Sequence, residues 1–305
     1  MSSVKITVTG DLGSGKSTTC GALNRKFGLQ IFSTGSIQRK IAVEMGMSTL
    51  ELNKYMETHP EIDRLIDGEL VKLSASPDNI AIDSRMAWHF VEDTFNVFLT
   101  TDETVAAQRI LADKRGPSEG YTDVPHAIEM LRARKKSENY RYKEKYSVEC
   151  YDYSNYDLIL DTTGITPEYT ADVIMDQFSR RASGSSVPVY LISPFCLYPT
   201  REAGDVSSPA VGEYCEMILG GQRVEPVKII MSNGFFYIYE GHDCVKAYCK
   251  LKKPHVLCVV AAQDDEEVIA GLTADMYVKK EFDSAKALKW EEANDVKFLT
   301  YPGLP

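Results

Sequence analysis

The stretch "VTGDLGSGKSTTC" occupies residues 8 to 20. Its centre, "GDLGSGKS", satisfies G-x-x-x-x-G-K-[S/T] with Gly10, Gly15, Lys16 and Ser17. The apolar run "VKITVT" (4 to 9) precedes it, and Ala22, Leu23 and Phe27 recur at helical spacing after it. A glycine-rich hinge between a strand and a helix is the context this pattern requires. The glycines free backbone N–H groups to point inward, and the helix that follows adds the positive end of its dipole. Such a loop favours nucleotide phosphates. Lys16 is expected to reach the β- and γ-phosphates, and Ser17 to put its hydroxyl on Mg2+.

Outward from the loop, β-rich runs alternate with longer helical patterns. The runs are "VKITVT", "LQIFS" (29 to 33), "NIAID" (79 to 83), "FNVFLT" (95 to 100) and "YDLILDT" (156 to 162). They predict an α/β domain, a doubly wound parallel sheet of five strands with helices on both faces. "TVAAQRILADKR" and "VPHAIEMLRARKKSENYRYKEKY" read as long helices, the second studded with basic residues. "STGSIQRKIA" and "IDSRMAWHF" fall at the C-terminal ends of the second and third strands, where a doubly wound sheet builds its ligand crevice. Arg39 and Arg85 are placed to face an anion there, and two guanidiniums suit a second phosphate group.

A small, polar stretch, "SRRASGSSVP" (179 to 188), marks the expected domain boundary, with one domain at 1–180 and a second at 187–305. In the second, "VPVYLISP", "VEPVKIIMSN", "FFYIYEG" and "HVLCVVAA" read as strands, with helices at "GEYCEMILGG" and "GHDCVKAYCKL" between them. This is a smaller α+β unit. The acidic tail from residue 264 is expected to be helical and to form a solvated face. A net charge of −10 over 305 residues works against a broad nucleic-acid surface, so any polyanion must be held at a focused site. There is no N-terminal signal pattern and no run approaching the roughly 18 apolar residues of a membrane span. A cytoplasmic protein without a membrane partner is expected. The seven cysteines form no C-x-x-C pair and no zinc-type cluster, and are expected to be buried, reduced thiols.

From Lys5 to about Gln177 the chain resembles the nucleoside monophosphate kinase family, and most of all the archaeal-type cytidylate kinases. The pieces that carry the resemblance are the glycine loop, "STGSIQR", "NIAIDSRMAW", "MSTLELNKYMETHPEIDRLID" and the arginine-rich "RARKKSENYRYKEKYSVECYDYSNYDLILDTT". The resemblance implies an ATP- and Mg2+-dependent kinase with a helical lid. It places Gly10, Gly13, Ser14, Gly15, Lys16, Ser17 and Thr18 on the ATP phosphates, with Arg115 bordering the lid. It gives Arg39 and Arg85 the acceptor monophosphate, and Asp83 a role through Mg2+ or its waters, so that Ser17 and Asp83 are the metal candidates. Arg134 and Arg141 would close on the transferring phosphoryl group. Elementary chemistry asks for the same arrangement, because positive charge around a water-excluded γ-phosphate supplies most of the catalysis of phosphoryl transfer. CMP or dCMP as the acceptor comes from the resemblance alone.

"YIYEGHDCVKAYCKL" (237 to 251) sets Glu240, Gly241, His242 and Asp243 at a second strand-to-helix junction. Together with "VPVYLISPFCLYPT" and "EPVKIIMSNGFFYIYEGHDCVKA" it resembles the ParB N-terminal and sulfiredoxin-like fold, whose mark is a "G-[EHC]-x-R" box before a helix. Cys244 stands where that box has arginine. The resemblance leaves open a second nucleotide or phosphoryl-transfer site, or a module for a partner or a homo-oligomer; DNA binding is disfavoured by the acidity. For the chain as a whole, two alternatives to a nucleotide kinase stand: a kinase for another small metabolite, such as a free amino acid or a sugar, and a nucleotide-gated regulator that recognises a partner.

Overall fold

The computed structural model describes residues 3–47, 49–113, 121–181, 188–202, 204 and 208–302. The chain forms two compact units. One contains 1–100, 129–158 and 166–188, the other 101–128, 159–165 and 189–305. Residues 182–187, at the expected boundary, lie outside the described residues.

The first unit is built around β1 (Lys5–Gly10), all six of whose residues are buried. It pairs in parallel with β3 (Ile80–Asp83), Lys5 opposite Ile80, and with β4 (Phe95–Thr100), Ile6 opposite Phe95. β2 (Gln30–Ser33) adds to the other edge of β3. A strand covered on both faces reads as a continuous apolar run, as "IAI" does; β1 alternates in "KITVT", yet Lys5, Thr7 and Thr9 are buried with Ile6 and Val8. β5 (Leu158–Asp161) begins where this segment ends, and Asp157 N–H donates to Asn96 O at 2.8 Å. This is the α/β class with a parallel sheet that the alternating pattern predicts. α1 (Lys16–Phe27) ends at Gly28 with φ +72, and α8 (Pro167–Arg181) meets it through the ion pairs Arg25–Glu168 and Lys26–Asp172. α2 (Thr34–Glu44), α3 (Thr49–Thr58) and α4 (Pro60–Ser74) enclose a small core of Ala42, Leu52, Met56 and Ile66. Further along α4, Leu70 packs with Ala87 of α5 (Ala87–Phe90) against Ile80 and Ile82 of β3. α6 (Glu103–Ala112) falls in the second unit, whereas α7 (Val124–Tyr146) belongs to the first from Glu129 onward.

In the second unit β6 (Val189–Ile192) pairs antiparallel with β10 (Val256–Gln263), which runs parallel to β8 (Val227–Ser232). β9 (Phe235–Glu240) returns antiparallel to β8 through Asn233 and Gly234, at φ +52 and +80. Two successive left-handed residues are what a tight hairpin turn needs, and Asn-Gly supplies them. β7 (Leu197–Pro199), parallel to β9, is a short strand that the sequence reading missed in "PFCLYPT". α9 (Pro209–Leu219) and α10 (His242–Lys250) pack on one another. β11 (Glu267–Ile269) and β12 (Leu272–Thr273) form a hairpin before α11 (Ala274–Glu281) and α12 (Ser284–Asn294). The tail expected to be helical from residue 264 opens instead with this hairpin and is helical only from Ala274, and it is not merely a solvated face. Trp290 is fully buried, and the Phe298 ring lies against buried Tyr198, tilted by 32° with ring centroids 4.7 Å apart. Ala274, Tyr277, Val278, Ala287 and Val296 are buried as well, so the tail joins the core despite its acidic residues, each large aromatic burying on the order of 150–250 Å².

All seven cysteines are unpaired, and all but Cys215 are buried. Among the described residues no helix is long and apolar enough to cross a membrane.

Candidate active site

At the end of β1 the chain turns at Gly10, with φ +147, and a Cβ there would lie 2.2 Å from the carbonyl oxygen of Leu99. Only glycine fits. Asp11 N–H then donates to that same oxygen at 2.9 Å, and Ser14 Oγ donates to Asp11 O at 2.7 Å. Gly13 and Gly15 take φ of +78 and +86, and Gly15 caps α1 without a side chain. The first-turn N–H groups of α1 have no partner within the helix, so the loop is a concave anion seat. Thr18 Oγ1 donates to Gly15 O at 2.8 Å and steadies the turn.

Lys16 folds into this seat. Its Nζ donates to Gly10 O at 2.9 Å and Asp11 O at 2.7 Å. Burial, followed by the Arg85 charge, lowers its pKa to about 7 against the pull of Asp83, Glu138 and Asp11. Ser17 Oγ donates to Asp83 Oδ2 at 2.6 Å, so the end of β3 and the start of α1 bring both metal candidates together. Arg85 donates through Nη1 to Gly10 O at 3.0 Å and through Nε pairs with Glu138 Oε2 at 2.7 Å. Both side chains are only 15% exposed. Burial works against the Arg85 charge, but Glu138, the nearby tyrosines and Asp11 outweigh it and raise its pKa. Burial likewise opposes the Glu138 charge, and Arg85, Arg134 and Lys16 overcome it, so its pKa is lowered.

α7 brings further cations to the loop. Arg134 Nε meets Glu138 Oε1 at 2.9 Å, and Lys135 Nζ meets Asp11 Oδ1 at 2.9 Å while lying 4.2 Å from the Tyr151 ring centre. Arg141 donates to the Tyr142 hydroxyl at 3.3 Å; burial opposes its charge, yet Tyr142, Asp63 and Glu138 raise its pKa. Arg39 stays on its own helix, donating to Ser36 Oγ at 2.9 Å. Arg115 lies outside the described residues. Lys16, Ser17, Asp83, Arg85 and Arg134 thus converge. Glu138 and Asp11 were missed by the sequence reading. The spacing of Arg134 and Glu138, four residues apart on a helix, was the available signal.

At the second junction Gly241 takes φ +101 and caps α10, and a Cβ there would lie 3.1 Å from Val227 Cγ2. Glu240 pairs with Lys228 at 2.7 Å on the surface, and Asp243 with Lys246 at 2.7 Å. Buried His242 accepts the Thr200 N–H at Nε2, 3.3 Å, and burial, then Arg201 and Lys246, lower its pKa to about 3. Glu240, His242 and Asp243 therefore have separate hydrogen-bond and ion-pair partners rather than a shared centre, and Gly241 contributes only backbone.

A loop of this geometry, with lysine, serine and aspartate converging on it, defines a P-loop phosphotransferase. Residues 6–127 match the family model described as "AAA domain". The chain is 31% identical over 185 residues to the cytidylate kinase of Thermoplasma volcanium, covering 58% of this chain and 94% of that one. It is 34% identical over 170 residues to the cytidylate kinase of Methanobrevibacter smithii, covering 56% and 95%. The chain belongs to the cytidylate kinase family, and is a nucleotide-using, nucleoside monophosphate kinase-like phosphotransferase. Among solved structures, sulfiredoxin from Arabidopsis thaliana matches 24% of this chain and 84% of its own, at 20% identity and a TM-score of 0.21.

Proposed function

We propose that the chain transfers the γ-phosphoryl group of ATP to CMP or dCMP in the cytoplasm. The observation that carries this reading is the convergence of Lys16, Ser17, Asp83 and Arg85 on one glycine seat. Lys16 is held by two neutral carbonyl oxygens, which an arriving phosphate displaces at little cost because it offers a charged acceptor in their place. The donor set of Ser17 and Asp83 is hard oxygen, which fits Mg2+ with substrate phosphates and waters filling its remaining positions. A Mg2+ held by Ser17 and Asp83 would neutralise developing charge on the phosphates. Arg85 leaves Gly10 O for the acceptor phosphate while Glu138 keeps it near the loop. Arg39 joins it from α2, and Arg134 and Arg141 face the transferring group from α7, the lid helix. The domain division at 180–187 is part of the same reading. Glu240, Gly241, His242 and Asp243 serve a second nucleotide or partner site, for which Gly241 at the head of α10 supplies the backbone seat.

ADP release from ATP with Mg2+ tests it, using nucleoside monophosphates, free amino acids and sugars as acceptors. CMP or dCMP should stimulate release in the wild type, and Lys16→Ala and Arg85→Ala should abolish the stimulation. Stimulation by an amino acid or sugar instead would reassign the acceptor, and slow release indifferent to every acceptor would point to a nucleotide-gated regulator.

A further inference from the structure

The second unit contains a cavity of about 290 Å³ that phosphoryl transfer does not use. Four chain segments enclose it: the turn after β5, the turn after β6, the end of α10 and the end of α12. One buried residue ties three of these walls together. Asp161, fully excluded from solvent, accepts Thr163 N–H at 2.8 Å and Ser193 N–H at 3.1 Å through its carboxylate. Its carbonyl oxygen meets His255 Nε2 at 2.7 Å, fixing the residue next to Pro254 in the cavity wall. The wall hydroxyls are held in turn, Thr163 Oγ1 accepting Asp102 N–H at 2.8 Å and Ser193 Oγ accepting Phe195 N–H at 3.3 Å. The walls are therefore set before any ligand arrives, which lowers the ordering cost of binding.

The lining has the composition of a small-molecule site, apolar surface with a few polar groups around it. Phe195, 40% exposed, offers an aromatic surface, and Val296 is apolar and buried. Lys252 and Lys253 also line the cavity, and among the described residues neither ammonium makes an ion pair. Asp295 lines it too and favours a ligand that also carries a donor. A lysine at a helix end also offsets the helix dipole, but Lys250 already does so within the last turn of α10.

We propose that this cavity binds a small aromatic anion that carries a hydrogen-bond donor, its ring against Phe195, its anionic group on Lys252 and Lys253, and its donor toward Asp295. The full chain, labelled with nitrogen-15, is titrated with 4-aminobenzoate, 4-aminophenyl phosphate, inorganic phosphate and benzylamine, and the amide shifts of Gly164, Phe195 and Lys253 are followed. Saturable shifts with either aromatic anion, and none with benzylamine, are expected; the tighter of the two identifies the preferred anionic group. The double variant Lys252→Ala, Lys253→Ala should bind about tenfold more weakly or worse, the loss of one to two charge-assisted hydrogen bonds. Lys250→Ala should bind as the wild type does, and an unchanged unfolding midpoint in both variants would show that the fold is intact. Saturation by inorganic phosphate alone with equal affinity, shifts confined to residues 10–18, or undiminished binding in the double variant would overturn the proposal.

Discussion

Two junctions of this molecule use the same backbone device. Gly15 precedes α1 at φ 86 and ψ 24, Gly241 precedes α10 at φ 101 and ψ 24, and neither cap is closed by a side chain. Each offers the unpartnered N–H groups of a helix's first turn. The side chains around them differ. At Gly15 a buried lysine is held only by carbonyl oxygens, and an arginine shares one of them. At Gly241 the acidic residues are already paired with lysines, and the imidazole is uncharged at neutral pH. The backbone supplies concavity at both, but only at the first is a buried cation held by weak acceptors that a phosphate can displace.

The largest effect that sharpens this contrast is on turnover. Lys16→Ala should lower kcat/KM on the order of 10²- to 10³-fold, as the loss of one donor to a charged transition state does. His242→Ala should leave ADP release unchanged; an equal loss there would mean that both junctions serve one reaction. Next comes stability. Gly10→Ala pushes a methyl into the Leu99 backbone and should cost about 3 kcal/mol or more in denaturant unfolding. Gly241→Ala presses on Val227 Cγ2 at 3.1 Å, with its Cα and Cβ at 3.5 Å, and strains a backbone at φ +101, so it should cost about 1–2 kcal/mol. Glu138→Gln leaves Arg85 and Arg134 without their carboxylate and should cost about 1–3 kcal/mol by the same measurement.

These contrasts were legible in unequal measure. The glycine loop is local, so Gly10, Gly15, Lys16 and Ser17 and their flanking strand and helix could be read from one short stretch. The meeting of Ser17 with Asp83 joins residues 66 apart in sequence and was reached only through the resemblance. Glu138 went unread because an acidic residue in a basic helix looks like ordinary solvated charge until Arg85 is brought against it from β3. The tail misled in the opposite direction, since its acidic residues hid the apolar positions, Tyr277, Val278, Trp290 and Phe298 among them, that are buried. β7 is too short, at three residues, to show any period.

The smaller effects concern protons. With its pKa near 7 in the free protein, Lys16 is partly neutral there, and a bound phosphate draws it back to the charged form. ATP binding should therefore take up a proton above pH 7. Affinity should fall as pH rises from 7 toward 9, by up to about tenfold per unit, while Lys16→Arg, charged throughout, should bind with little pH dependence. Calorimetry in buffers of different ionisation enthalpy reads the uptake directly, and its absence would mean that Lys16 is already charged in the free loop.

His242 tests the other junction and has almost no effect at neutral pH. Its folded pKa, about 3, lies below the ordinary 6.5, so the folded state binds fewer protons than the unfolded one between those values. The stability it contributes is complete above pH 6.5 and is lost as pH falls toward 3, at up to about 1.4 kcal/mol per unit. His242→Gln should flatten that part of the pH–stability curve, and the His242 imidazole resonances of the wild type should not titrate between pH 5 and 8. A midpoint near 6.5 would make His242 a cation at mildly acidic pH. The second junction would then hold a charge beside its glycine seat as the first one does, and the contrast between them would fail.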